Sequence, residues 1–151
     1  MHIDPRGPRF GAAITTIVLA VVLITGSIWL LAAQAVVFAI GAGLGLRYAP
    51  YGLIYRWLVK PRLSPPAELE AEAPPRFAQG VGLVFAVAGV AGYATGVTAL
   101  GIVATAAALA AAFLNAAFGF CLGCETYLLI RRFRPARPHP ALADPDKEVP
   151  A

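Results

Sequence analysis

Two long stretches without a charged side chain constrain the fold more than any other feature of this sequence. Between Arg9 and Arg47, and again between Arg76 and Glu125, there is no Asp, Glu, Lys or Arg. A helix needs roughly 20 apolar residues to cross a bilayer, so each stretch is long enough for two crossings. With 59% of 151 residues hydrophobic, a soluble domain could not bury the apolar surface. The sequence therefore predicts an all-α, polytopic membrane protein, a bundle of four transmembrane helices.

Turn-forming residues divide each charge-free stretch into a helical hairpin. Residues 25–27 mark the first turn, and residues 93–98, which include Gly96, mark the second. The predicted spans are 10–25, 28–47, 77–94 and 97–117. Around them we predict an N-terminal segment (1–9), a first hairpin with an interfacial segment (10–60), a linker (61–75), a second hairpin (76–133) and a tail (134–151).

The distribution of cations predicts the orientation of these spans. Cations lie before the first span, between the second and third, and after the fourth: Arg6, Arg9, Arg56, Lys60, Arg62, Arg76, Arg131, Arg132, Arg134 and Arg137. The two turns carry none, and short loops rich in Lys and Arg stay in the cytoplasm. Both termini are therefore expected on the cytoplasmic side. The net charge of +4 favours contact with the lipid bilayer and its anionic headgroups, and gives no support to nucleic-acid binding.

The linker and the tail are predicted to be solvated. Aromatic and basic residues alternate over 51–60, which is typical of a segment at headgroup depth. After it, Glu68, Glu70 and Glu72 lie between proline pairs and are interpreted as a solvated acidic run. The tail, 134–151, is rich in Pro, Asp and Ala and is predicted to be disordered.

The second half of the chain repeats the first. Residues 8–10 (Pro-Arg-Phe) recur at 75–77, an offset of 67, and without a gap residues 49–52 then align with 116–119. We interpret this as a duplication of one hairpin, which would relate the halves by an axis along the membrane normal. The alternative is chance similarity between two apolar sequences.

Small and polar residues within the spans are interpreted as contacts between helices. Gly41 and Gly45, and also Gly92 and its neighbours four residues away, allow backbones to approach closely. The polar residues within the spans are Thr15, Thr16, Gln34, Gln79, Thr95, Thr105 and Asn115. None of them is ionisable, which argues against an ion-coupled transporter or pump.

Cys121 and Cys124, followed by Glu125, form the one cluster of reactive side chains in the sequence. They are the only two cysteines and lie at the predicted cytoplasmic end of the fourth span, where the ungapped repeat aligns them with Ile54 and Trp57. In that compartment thiols are kept reduced, so a purely structural disulfide is not expected. On a helix, or across a turn at Gly123, the two thiols can reach each other and cycle between dithiol and disulfide.

The roles within this cluster remain open from the sequence. Arg131 and Arg132 favour the thiolate, whereas Glu125 and the apolar bilayer edge oppose it. Either cysteine can be the attacking one, and Cys124 would be the more exposed if the helix continues through the pair. Glu125 is either a proton acceptor or a solvated carboxylate. The cysteines could instead serve only as packing residues. Zinc binding is less favoured, because two cysteines without a nearby histidine would need a second chain to complete four ligands.

Three motifs resemble an uncharacterised family of four-span bacterial membrane proteins of unknown function. They are DPRGPRF at 4–10, PPRFAQ at 74–79 and FGFCLGCE at 118–125, and the resemblance extends to Phe133. It implies a protein of the bacterial cytoplasmic (inner) membrane, similar to small four-helix proteins that accompany thioredoxin-like and sulfurtransferase enzymes. A shared fold alone does not establish a function.

Together these features favour a thiol-disulfide or sulfur-relay protein. Cys121 and Cys124 would exchange electrons or sulfane sulfur with a soluble thioredoxin-like or sulfurtransferase partner, and a membrane quinone is conceivable as a second substrate without any sequence feature that specifies its pocket. The sequence leaves open whether a cofactor sits between the hairpins, and small-residue faces would allow a homo-dimer. Two other functions stay open: a non-catalytic scaffold or anchoring subunit, and a passive transporter of a small neutral solute.

Overall fold

The computed structural model describes residues 2–66 and 68–133. Within them the chain forms six α-helices and two short strands. In order these are β1 (His2–Ile3), α1 (Arg6–Thr25), α2 (Ile28–Gly43), α3 (Pro50–Ile54), β2 (Glu70–Ala71), α4 (Ala73–Ala94), α5 (Thr98–Phe118) and α6 (Leu122–Phe133). Helix α3 continues through a π-helical turn, Tyr55–Val59, and a 3-10 turn, Lys60–Arg62. The predicted tail lies outside the described residues.

Three helices, α1, α4 and α5, are long and apolar enough to cross a bilayer. Helix α2 is also apolar but has only 16 residues. It ends at Gly43, because Gly45 takes a positive φ of 104° that a helix does not allow. The predicted span 28–47 was therefore too long at its C-terminal end.

The helices pack mainly across the two halves of the sequence. Helix α1 packs against α5, and α2 packs against α4, while the consecutive helices α1 and α2 share few contacts. Helices α4 and α5 approach so closely that a Cβ at Gly92 would lie 2.5 Å from the backbone nitrogen of Gly101. At the centre is an apolar core composed of Leu19, Val22, Leu31, Phe38, Ala86 and Ala108.

Three polar side chains form a hydrogen-bonded series across the interior between α1, α2 and α3. The Tyr51 hydroxyl donates to Gln34 Oε1 at 2.7 Å, and Gln34 Nε2 lies 3.5 Å from Thr15 Oγ1. Gln34 is 1% exposed. Because a buried amide without partners would cost several kcal/mol in an apolar setting, these bonds explain how Gln34 is accommodated among apolar side chains.

The predicted linker, 61–75, is more ordered than expected. Its strand β2 pairs antiparallel with β1, so four residues depart from the all-α prediction. Glu72 is 7% exposed and accepts a hydrogen bond from the Leu46 N–H at 3.1 Å. The expectation that Glu72 is solvated was therefore wrong, because α4 begins at Ala73 and holds this carboxylate against the end of α2.

Related arginines in the two halves bind the C-terminal ends of helices. Arg76 Nη2 donates to the Gly43 carbonyl at 2.8 Å, at the end of α2. Arg9, 67 residues earlier, donates through Nη2 to the Ala117 carbonyl at 3.3 Å, at the end of α5. The last carbonyls of a helix have no partner within it, so each guanidinium satisfies acceptors of the opposite half.

A tilted aromatic pair joins the first long helix of each half to the segment that ends that half. The rings of Phe10 and Tyr55 have centroids 5.8 Å apart and an interplanar angle of 45°. Those of Phe77 and Tyr127 are 5.6 Å apart at 48°. The segment that begins at α3 therefore packs on α1 much as α6 packs on α4.

Candidate active site

The cysteine pair lies where the chain leaves α5 and starts a new helix. Helix α5 ends at Phe118, and Gly119 has a φ of 70°, with its N–H donating to the Asn115 carbonyl at 3.0 Å. Such a left-handed residue suits glycine and stops the helix. Cys121 comes just before α6, and Cys124 lies in its first turn. The condition under which Cys124 was expected to be the more exposed, one helix continuous through both cysteines, is therefore not met.

The two cysteines form a disulfide in the structure. Their Cα atoms are 5.2 Å apart, within the usual range for a disulfide. This confirms that the thiols can reach each other across the predicted spacing. The backbone N–H of Cys124 also donates to Cys121 Sγ at 3.3 Å, so the sulfur of Cys121 lies at the N-terminal end of α6.

The charges around the pair differ from the sequence interpretation. The N–H groups at the start of a helix stabilise a nearby thiolate, and Cys121 occupies that position. Arg131 and Arg132 lie in the last turn of α6, about 10 Å further along the helix axis from Cys124 at 1.5 Å per residue. Glu125 is exposed in the first turn. The backbone N–H groups at the start of α6 are therefore nearer to Cys121 than the two arginines are, and they are the groups that favour its thiolate.

Close packing fixes the start of α6 against α4. A Cβ added at Gly123 would lie 2.6 Å from both Cα and Cβ of Ala78. No real side chain makes so short a contact, so only glycine allows α6 to approach α4 at this point. Gly123 thus positions the pair by permitting helix contact, a role different from the turn that was one of the two alternatives left open by the sequence.

A cavity of about 370 Å³ lies beside the pair, between α1, α4, α5 and α6. Cys121 lines it, whereas Cys124 is not among its lining residues. The small side chains of α5 leave the space open, and the amides of Gln79 and Asn115 reach its wall. Both amides were named in the sequence as polar groups within the spans, and Asn115 was interpreted as a helix contact. The cavity became visible only in the folded structure, in which α6 forms part of its wall.

A second cavity, of about 540 Å³, is lined by the segment that follows α2. It shares Pro8 and Gln79 with the cavity of Cys121 but includes charged groups, among them Arg56 and Glu72. Next to it Tyr55, 4% exposed, donates to Asp4 Oδ2 at 2.9 Å.

Tyr55 is also the described side chain with the largest pKa displacement. Burial, the hydrogen bond to Asp4 and the charge of Asp4 together raise the pKa of Tyr55 to about 12, against the opposing effect of Arg6. Tyr55 therefore stays neutral at physiological pH and holds the N-terminal segment against α3.

The contacts change the alignment of the two halves near the cysteines. Phe10 and Phe77 differ by 67 positions, but their partners Tyr55 and Tyr127 differ by 72. Helix α5 has 21 residues where α2 has 16. With the larger offset, Cys121 and Cys124 correspond to positions 49 and 52, an alanine and a glycine, and not to the predicted positions 54 and 57. The first half therefore has no cysteine at the two positions that correspond to Cys121 and Cys124.

The described residues contain no group of three or more His, Cys, Asp or Glu that could hold a metal ion.

Comparison with curated proteins and with solved structures found no match. A family model does match residues 3–132, nearly the whole described chain, which confirms the resemblance to an uncharacterised family. The chain therefore belongs to the family described as "Domain of unknown function (DUF4395)".

Proposed function

We propose that this chain is a membrane-embedded thiol-disulfide exchange protein. The observation that carries the proposal is the disulfide between Cys121 and Cys124 at the start of α6. A cysteine pair with this spacing at a helix N-terminus has the geometry that thiol-disulfide exchange requires. The partner is a soluble thioredoxin-like protein, and a sulfurtransferase could deliver a sulfane sulfur to the same thiolate.

The two cysteines take different roles in the exchange. A thiolate of the reduced partner attacks Cys124 Sγ, which the cavity does not enclose, and forms a mixed disulfide. The S–S bond to Cys121 breaks, and Cys121 leaves as a thiolate that accepts the Cys124 N–H. The better stabilised thiolate is the better leaving group. The partner's second thiolate then attacks its own mixed disulfide and releases Cys124.

This step transfers two electrons from the partner to the pair. The two protons of the partner's thiols end on Cys121 and Cys124, and the partner leaves as a disulfide. In the reverse direction Cys124 must give up its proton, and the exposed carboxylate of Glu125, the next residue, is the group that accepts it. Glu125 is therefore assigned to proton transfer, while Cys121 and Cys124 form and break bonds.

The surrounding protein is proposed to be a bundle of two related hairpins in the bacterial cytoplasmic membrane, with both termini in the cytoplasm. Three apolar helices of sufficient length and a fourth apolar helix support it, as do the related contacts of Arg9 and Arg76. In this orientation the end of α5, with the cysteines, faces the compartment where the cations lie. A cytoplasmic partner would then reach Cys124 without crossing the bilayer.

Differential alkylation in inverted membrane vesicles tests the proposal. A membrane-impermeant maleimide is applied with and without prior reduction, and labelling is expected to rise after reduction. Next, a reduced thioredoxin whose second active-site cysteine is replaced by serine is added. Peptide mapping should find the mixed disulfide on Cys124.

Matched variants separate exchange from a scaffold role. Cys124→Ser should abolish the mixed disulfide, and the variant with both cysteines replaced by serine should be stable but inactive. If labelling is the same before and after reduction, and the double variant still functions in cells, the cysteines only pack and the protein is a scaffold.

A further inference from the structure

The cavity beside Cys121 reaches deep into the predicted membrane region. Ala107 lines it, 11 residues before the end of α5, and Phe85 lines it, 12 residues after the start of α4. At 1.5 Å per residue these positions lie about 16 to 18 Å from the helix ends. The hydrocarbon core is about 30 Å thick, so the cavity extends from the cysteine to near the bilayer midplane.

The lining of this cavity suits a neutral molecule with hydrogen-bond acceptors. None of the described residues that line it is charged. Gln79 and Asn115 each provide an amide NH₂ that can donate to a carbonyl oxygen. The remaining wall is mostly apolar, with alanine the commonest residue and two threonines, Thr15 and Thr126, adding hydroxyl groups. A volume of about 370 Å³ lies within the range of small-ligand pockets.

The rim of the cavity is apolar on the outer surface of the bundle. Phe85 is 37% exposed and Leu122 is 41% exposed, and both line the cavity. They belong to α4 and α6, which pack against each other. A lipid-soluble ligand can therefore approach the cavity from the apolar phase past these two exposed side chains.

From this placement we propose that the cavity binds a lipid-soluble quinone that oxidises the reduced cysteine pair, an inference that rests on the proposed function. The Cys121 thiolate adds to a ring carbon of the quinone and forms a C–S bond. The Cys124 thiolate attacks Cys121 Sγ, the C–S bond breaks, and its electron pair passes to the ring. The two thiol protons end on the quinone oxygens, giving one disulfide and one quinol.

This reaction completes a cycle with the exchange reaction. The soluble partner reduces the pair through Cys124, and the quinone reoxidises it through Cys121. Each cysteine thus faces one of the two substrates, which explains why only Cys121 lines the cavity. Overall, two electrons pass from a soluble dithiol into the lipid phase.

The test uses the full chain in nanodiscs of phosphatidylethanolamine and phosphatidylglycerol, reduced and kept free of oxygen. A short-tail ubiquinone with a fully substituted ring is added, because it cannot retain a thiol adduct. Quinone absorbance and free thiols are followed together. We expect one quinone reduced for each two thiols lost, and no reaction when both cysteines are replaced by serine.

Two alanines of α5 provide a matched pair of variants. Ala111 lines the cavity, whereas Ala110 does not and is exposed on the outer face. Ala111→Leu fills the space and should slow quinone reduction by about tenfold or more. Ala110→Leu should react like the original chain. Asn115→Leu, which removes a donor at little change in size, should also slow the reaction.

The same preparations are tested with reduced thioredoxin. If thioredoxin reduces the disulfide but the quinone stays oxidised, the quinone inference is wrong and the proposed function stands. If Ala110→Leu and Ala111→Leu slow quinone reduction equally, the cavity is not the quinone site. If neither thioredoxin nor quinone reacts, the proposed function fails as well.

Discussion

At the scale of single residues, the inequivalence of the two cysteines is the main chemical feature. Cys121 precedes α6, receives the Cys124 N–H and lines an apolar cavity, while Cys124 lies within the helix and outside that cavity. Because only Cys121 lies both at the helix N-terminus and beside the cavity, the two thiols have different chemical surroundings. The spacing of the pair alone contains no information about this difference.

Reagents of different polarity should distinguish the two thiols. In Cys124→Ser the remaining Cys121 is expected to react faster with a lipophilic maleimide than with a charged one, because its sulfur faces the cavity. In Cys121→Ser the charged reagent should react well with Cys124. Rates are measured by mass spectrometry in nanodiscs. Equal reagent preferences in the two variants would contradict the assignment of faces.

Tyr55 provides a prediction at high pH. Its pKa in the folded chain is raised to about 12, above the ordinary tyrosine value of 10.0. The stabilisation this provides is complete below pH 10 and is lost as the pH rises to 12, because the unfolded chain ionises first. Tyr55→Phe removes the bond to Asp4 and should cost about 1 to 2 kcal/mol at neutral pH.

Ultraviolet titration of tyrosine and denaturation as a function of pH measure these effects. Burial also raises the pKa of Tyr51, so the original chain should show a component near pH 12 from Tyr55 beside an earlier one from Tyr51, and Tyr55→Phe should lack the component near pH 12. If that component persists in Tyr55→Phe, it belongs to another tyrosine and the assignment fails.

At the scale of helices and loops, the apolar stretches contained most of the information needed to predict the structure. The ends of α1 and α4 at 25 and 94 agree with the predicted spans, because charge-free length and turn residues are local features. The early end of α2 was missed because Gly45, visible in the sequence, was interpreted as a helix contact and not as the end of a helix. The burial of Glu72 was not predictable, because it depends on a contact with Leu46, far away in sequence.

The position of α6 is a second feature that local pattern could not indicate. Gly119 and Gly123 were visible in the sequence, but a glycine can mark a turn, a helix end or a close contact. The structure uses Gly119 for the helix end and Gly123 for contact with Ala78. The cysteines were therefore identified from sequence, and the cavity they border was not.

The contact between α4 and α5 is expected to be sensitive to one methyl group. A Cβ at Gly92 would lie 2.5 Å from Gly101 N, whereas at Gly80, also in α4, nothing lies within 4 Å. Gly92→Ala forces the helices apart and should destabilise the fold by about 1 to 3 kcal/mol. Gly80→Ala should be neutral or stabilise by up to about 1 kcal/mol.

Unfolding in mixed micelles with increasing SDS compares the two variants. The prediction requires Gly92→Ala to unfold at a lower SDS fraction than Gly80→Ala. A similar stability for both would mean that α4 and α5 separate without cost, and the close approach would not be important for the fold.

At the scale of the whole molecule, each half packs its helices against the other half and binds the ends of the other half's helices. Helix α1 lies against α5 and α2 against α4, with Arg9 and Arg76 each bound to carbonyls of the other half. Neither hairpin could bury its apolar faces alone in this arrangement, so the halves are expected to fold together. The cysteines of the second half then depend on α1 of the first, which lines their cavity.

The short helix α2 is the element on which the four-span arrangement depends. With 16 residues it is about 24 Å long, less than the hydrocarbon thickness of about 30 Å. It can complete a crossing only if residues 44–49 lie at the interface or the bilayer thins locally.

With both native cysteines replaced by serine, single cysteines at Ser27, Thr95 and Ser64 therefore provide a direct topology test. We expect an impermeant maleimide to label Ser27→Cys and Thr95→Cys from the outer side and Ser64→Cys from the cytoplasmic side. Labelling of Ser27→Cys from the same side as Ser64→Cys would mean that α2 does not cross the membrane. The four-span orientation, and with it the argument for a cytoplasmic partner, would then be wrong.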